Sequence, residues 1–277
     1  MSGYNVRKLK EKLFLFLISA LTVLMFSPLF HIIYSVFKNG IHVILSRKIT
    51  FITGTLSGGG IGPAIIGTFI LVFLASLIGL PVAFLVGIYA YEYPESTLGK
   101  ATKSLLQIML EFPTILVGVF IMQMLVVPMG TYSALAGALS LAIIMMPYVA
   151  VYTHEAMRQI PFEYRDAAFS LGLTRVKAVF RVLVPMAKRG ILTGVLIGIA
   201  KVAGETAPLL FTVGGSYQTY QIGITKPVGA IPLLIYTLIQ SPAKEYHEMA
   251  WGASLILLLI FLGIFIPVRL SLREVKV

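Results

Sequence analysis

Apolar stretches of roughly twenty residues recur along this chain. They restrict its fold more than any other feature, because a helix rising about 1.5 Å per residue needs that length to cross a hydrocarbon core of about 30 Å. Six stretches qualify, at residues 13–37, 65–90, 105–127, 134–152, 191–213 and 250–267. Hydrophobic residues make up 58% of the 277 and charged residues only 12%, too few to solvate the surface of a water-soluble enzyme. The net charge of +11 would suggest nucleic acid in a soluble protein, but here the basic residues fall between the apolar runs and read as membrane-surface charge. With the N-terminus inside, sixteen Lys and Arg fall on the cytoplasmic side and five outside, so both termini are expected in the cytoplasm. The expected fold is all-α: a multi-pass protein of the cell membrane with six transmembrane helices.

Two apolar stretches need separate treatment. The first run follows Arg7, Lys8, Lys10 and Lys12 like a signal peptide, yet it is too long and lacks a small-residue cleavage site, so a retained anchor is expected. Residues 230–240 are apolar but too short to span, and Pro232 and Pro242 bracket them; an external interfacial or re-entrant segment is expected. The stretch 39–62 is expected as an external loop, with Ser57-Gly58-Gly59-Gly60 leading into the second span.

Chemistry within the chain is sparse. There is no cysteine, hence no disulfide and no thiolate ligand or nucleophile. His31, His42, His154 and His247 show no metal-binding spacing, and no nucleophile elbow occurs. Gly99-Lys100 is followed by Ala101 and has Pro94 where a phosphate-binding loop needs glycine, so ATP hydrolysis by this chain is not expected. The expectation is no catalytic residue, no metal and no cofactor. Glu111, just before Pro113, is read as snorkelling or capping, and Tyr89, Tyr91, Tyr93, Tyr152 and Trp251 as interfacial anchors.

The region 154–190 is long for a connection. Pro161 is placed to start a helix, Glu163 and Asp166 occupy its early turns, and Gly172 supplies a left-handed stop. Thr174 then caps a second helix with Val176, Val179, Phe180 and Leu183 on one face, which Pro185 is expected to end. Such a pair could lie on anionic lipid. Its residues also carry a pattern: Asp166-Ala167-Ala168, Gly172, then Val182-Leu183-Val184-Pro185. This resembles the EAA loop of ATP-binding-cassette importer permeases, with Asp for Glu, Val for Ile and Val for Leu. The resemblance implies that Asp166, Ala167, Ala168 and Gly172 couple the chain to a separate ATPase subunit.

Further segments extend the likeness: Gly87-Ile88-Tyr89-Ala90-Tyr91-Glu92-Tyr93, Pro113-Thr114-Ile115-Leu116-Val117-Gly118 and Gly204-Glu205-Thr206-Ala207-Pro208-Leu209-Leu210-Phe211-Thr212. Together with Ile231-Pro232, Ile235-Tyr236 and Ala250-Trp251 they are similar to the PstA family of phosphate-importer permeases, over about residues 55–270. The resemblance implies an anchor and external loop at 1–54, a type I importer permease domain at 55–270 with its coupling loop at 154–190, and a cytoplasmic tail at 271–277. It further implies a PstC-like second permease, a PstB-like ATPase dimer that binds ATP and Mg, and a PstS-like external phosphate-binding protein. The alternatives are a permease for sulfate, molybdate or phosphonate, the PstC-type subunit itself, an ion-coupled secondary carrier, or a non-transport scaffold.

One basic residue lies within an apolar run. Lys201 is ten residues into the stretch that begins at 191, about 15 Å deep, where an unpaired charge costs on the order of 2.5–3.5 kcal/mol. Glu205 is one turn on, and Gly190, Gly194 and Gly198 share the face, a spacing suited to close helix packing. Lys201 and Glu205 either neutralise each other to lock a helix pair or, with Thr206, line a route for a hydrated oxyanion. The phosphate-permease pattern has Arg where this chain has Lys201, so the resemblance implies a point charge in place of a fork.

Overall fold

The computed structural model describes residues 2–273; residues 274–277 of the expected tail, Lys276 among them, lie outside the described residues. The helices are α1, Ser2–Thr53; α2, Gly62–Glu92; α3, Thr97–Glu111; and α4, Thr114–Met129. They continue with α5, Ala134–Arg158; α6, Phe162–Ser170; α7, Arg175–Ala203; α8, Ile231–Ile239; and α9, Lys244–Arg273. Among the described residues five helices are long and apolar enough to cross a membrane, or six if α3 and α4, bent by 100° at their junction, form one span. The chain is an all-α, multi-pass membrane protein.

The core is built around α5, which lies between α2 and α7. Its buried residues are mostly small: Ala136, Ala138, Ser140, Ala142 and Ala150. A Cβ on Gly79 would lie 3.3 Å from Ala142 Cα, and one on Gly87 would lie 2.5 Å from the Ala150 carbonyl oxygen. Close backbone approach of this kind provides association where lipid tails remove the hydrophobic drive between helices. A second group joins the end of α1 to α8 and α9, with Val43, Phe51, Leu234 and Met249 buried.

Four expectations require correction. The stretch 39–62 is no loop for most of its length: α1 runs to Thr53, broken only at Lys48 with φ 53, because Val43 and Phe51 bury against the α8–α9 unit. The run 105–127 is two helices. Pro113 forces Phe112 into an extended conformation (φ −70, ψ 131), as a residue before proline prefers, and the helix breaks there. Pro185 does not end a helix, since α7 continues from Arg175 to Ala203. A π turn at Val179–Leu183 widens the backbone immediately before the proline and accommodates its missing N–H. That turn also shifts the buried face: Val179 and Leu183 are buried, whereas Val176 and Phe180 are exposed.

The fourth correction is the end of the 191–213 run, whose helix stops at Ala203. The Pro208 ring would clash with the carbonyl four residues back, that of Gly204, so the chain turns at Gly204 and resumes as a short 3-10 turn, Pro208–Phe211. The proline acts one turn earlier than its own position. As expected, the apolar stretch at 230–240 is too short to span, since the nine residues of α8 reach about 14 Å. Its first N–H, that of Ile231, donates to the buried Thr68 Oγ1 of α2 at 2.9 Å.

Candidate functional site: an ion pair in a cavity wall and a clamped helical corner

The α3–α4 bend opens a cavity of about 480 Å³ against α5 and the end of α7, lined by Ile108, Phe112, Thr114, Phe120, Tyr148 and Lys201 among others. Its walls are mostly apolar, and among the described residues Lys201 is the only charged one lining it. Lys201 stands in the last turn of α7 rather than mid-helix, where the negative end of the helix dipole favours a cation. Its Nζ is ion-paired with Glu205 Oε1. Glu205 lies beyond the end of α7, so the expected shared helix face stops at Lys201; the turn at Gly204 still returns the carboxylate to the ammonium. The second carboxylate oxygen accepts from Thr114 Oγ1 at 3.2 Å.

Thr114 carries no sequence signal of its own beyond its place in the run 113–118. Two of the family-like runs meet here, since a Cβ on Gly118 would come 2.6 Å from Pro208 Cα. The glycine seats α4 against the turn after Glu205 and brings Thr114 to the carboxylate. Thr206 is half-buried beside this group and does not line the cavity. Its carbonyl accepts the N–H groups of Leu209 and Leu210.

The glycines at four-residue spacing all face α5. A Cβ on Gly190 would strike Ala156, one on Gly194 would strike Tyr152, and one on Gly198 would lie 2.6 Å from Val149 Cγ2. The stripe therefore fixes α7 against α5 over more than two turns and sets the line on which Lys201 emerges into the cavity.

At the corner between α6 and α7, Gly172 has φ +77. The Gly172 N–H donates to the Phe169 carbonyl at 2.9 Å and the Leu173 N–H to the Ala168 carbonyl at 3.1 Å, the two bonds of a Schellman stop. Asp166 and Ala167 are exposed, and Leu171, 82% exposed, is the most prominent apolar side chain of the corner. Ala168 faces inward and is buried. The site residues thus divide into two separate groups, one at the cavity and one at the corner.

The corner is tied to the bundle by Glu92, the last residue of α2, which is only 5% exposed. Arg165 Nη2 of α6 donates to Glu92 Oε2 at 2.6 Å, and Arg175 Nε, at the start of α7, donates to the same oxygen at 2.8 Å. Arg175 Nη2 also donates to the Glu92 main-chain carbonyl at 2.7 Å, capping the end of α2. Each guanidinium rests on aromatic rings, with Arg175 4.4 Å from the Tyr93 centroid and Arg165 5.7 Å from that of Phe169. The signal available in the sequence was an acidic residue closing a long apolar run, opposite a corner rich in arginine.

Residues 79–276 match the family described as binding-protein-dependent transport system inner membrane component. The chain is 64% identical over 270 residues to a probable phosphate transport system permease protein PstA of Methanocaldococcus jannaschii, covering 98% of this chain and 96% of that protein. It is 39% identical over 275 residues to the PstA protein of Pasteurella multocida, covering 95% and 97%. An inward-facing structure of the MetNI methionine ABC transporter shares the fold, with a TM-score of 0.60 at 20% identity over 79% of this chain and 95% of that one.

Proposed function

Because the chain belongs to the family of binding-protein-dependent transport system inner membrane components, we propose that it is the PstA-type permease subunit of an ATP-driven importer of inorganic phosphate. The observation that carries this reading is a single lysine, paired with a threonine-held glutamate, in the wall of an otherwise apolar cavity within a chain so close to PstA proteins. Lys201 attracts the anion as a point charge. Glu205 competes for the same ammonium, so the anion gains only the difference between two partners and is released rather than trapped. Thr114 and Tyr148 offer hydroxyl donors to the phosphate oxygens, and Thr206 supports the turn behind them.

One lysine is too little for a dianion, so the pathway is completed by a PstC-like second permease across the cavity mouth. A PstS-like binding protein delivers phosphate from outside. This chain works as a transport subunit, and a PstB-like ATPase dimer, which binds ATP and Mg, docks on the exposed surface around Asp166, Ala167 and Gly172. Ala168 contributes by packing under that surface. In this reading residues 1–54 anchor the chain and 55–270 form the permease domain, with 154–190 as its coupling segment.

The test is reconstitution of this chain with its permease, ATPase and binding-protein partners in vesicles. ATP-dependent accumulation of labelled phosphate that excess sulfate or molybdate leaves unchanged supports the reading. Accumulation that either anion suppresses overturns the assignment to phosphate. Uptake driven by a proton or sodium gradient with this chain alone overturns the ATP-driven mechanism.

A further inference from the structure

The sequence separates the α6–α7 corner from the end of α2 by more than seventy residues, yet one carboxylate joins them: Glu92 lies 73 residues from Arg165 and 83 from Arg175. The corner is covalently continuous only with α5 and α7. A force applied to its exposed apolar surface would reach α7 directly and α2 only through apolar packing, with α5 and with the start of α7 where Ile88 meets Val179 and Leu183, unless the corner and α2 were also joined by a directed bond. Glu92 supplies that joint, since its carboxylate holds one arginine from each arm of the corner and its main-chain carbonyl holds the second. We propose that Glu92 is a positioning residue that makes the corner, the start of α7 and the end of α2 move as one body, so that docking forces reach both helices flanking α5. The proposal rests on the importer reading above for its biological sense, although the joint itself can be observed without any substrate.

Three features favour a mechanical joint over a simple fastening. The carboxylate is buried while Arg175 is half-exposed, and a buried ion pair is a poor source of net stability because both charges lose water. Arg165 and Arg175 share the one oxygen Oε2, and Oε1 is buried with no hydrogen-bond partner, so both arms of the corner are held at a single point on α2. The joint also sits at one end of α7 and Lys201 near the other, 26 residues and about 39 Å along the same helix. A tilt of the joined ends therefore shifts Lys201 relative to the α4 bend and the Thr114–Glu205 bond.

The native chain contains no cysteine, which permits paired spin labels on an unaltered background. Labels at Ser170→Cys on the corner and Thr97→Cys beside the end of α2 would be followed in the complete complex, with and without ATP. The intact joint predicts one narrow distance that is the same in both states. Glu92→Gln should broaden or split it, and should lower phosphate transported per ATP hydrolysed about tenfold, within the usual span of inter-site coupling, at unchanged ATPase co-purification. Arg165→Gln cuts the bond between Glu92 and the labelled arm of the corner while leaving Glu92 paired with Arg175, and should show the same broadening even if Glu92→Gln fails to assemble. Unchanged distance and unchanged transport per ATP in an assembled Arg165→Gln complex would overturn the proposal. A wild-type complex that shows the single distance but imports no phosphate would overturn the importer reading and leave the joint standing.

Discussion

Lys201 carries the charge argument, and its value depends on what it can exchange. With Glu205 it forms a pair that is neutral overall, and Thr114 holds the carboxylate from the far side. Removing the ammonium leaves Glu205 as an unpaired, largely buried anion in the wall, so Lys201→Ala should abolish phosphate uptake at equal membrane abundance. Lys201→Arg restores a cation with two-pronged geometry and should retain uptake. Initial rates of labelled phosphate entry separate the two variants. Thr114→Val keeps the volume of the side chain while deleting one hydrogen bond to a charged group, at a cost of about 1.5–3 kcal/mol. It should lower uptake without loss of expression, and a rate equal to wild type would show that Glu205 needs no second partner.

Helix α7 is held by glycine rather than by large side chains. Because Gly194 and Gly198 face Tyr152 and Val149 directly, Gly198→Leu would overpack the α5–α7 interface by about 1–3 kcal/mol or more. Reduced thermal stability of the purified subunit is expected, read by the temperature of half-aggregation. At the corner, Gly172 occupies the left-handed region with nothing within 4 Å of where a Cβ would stand, so substitution there costs backbone strain alone, about 1–2 kcal/mol. Gly172→Val should therefore loosen the corner without disturbing the core. ATPase retained in a pull-down of the solubilised chain should fall, while the chain's own thermal stability changes little.

Across the whole molecule, three parts meet α5 in one continuous core: the α2 side, the α7 rod and the α3–α4 bend that forms the cavity. Among the described residues Glu92 and Glu205 are the buried acidic groups, and they lie at opposite ends of this arrangement. Each links elements that are remote in sequence. Cutting either should therefore affect phosphate movement without emptying the core. Combining Lys201→Ala with Glu92→Gln should give the transport of Lys201→Ala alone while the ATPase activity still responds to Glu92, measured side by side in one vesicle preparation.

Apolar run lengths and basic flanks were sufficient to establish an all-α membrane protein, since bilayer thickness imposes those lengths on any chain. The Gly172 corner was legible too, because one glycine between two helical patterns has few other uses. Helix ends were not. Pro113 broke a run that composition makes continuous, Pro185 failed to break one, and Pro208 acted at Gly204, because the consequence of a proline depends on whether neighbouring turns can widen or must stop. Lys201 and Glu205 were visible as a local pair four residues apart. Thr114 on Glu205, and Glu92 between Arg165 and Arg175, arise only when helices distant in the chain pack side by side, and no local spacing encodes that contact.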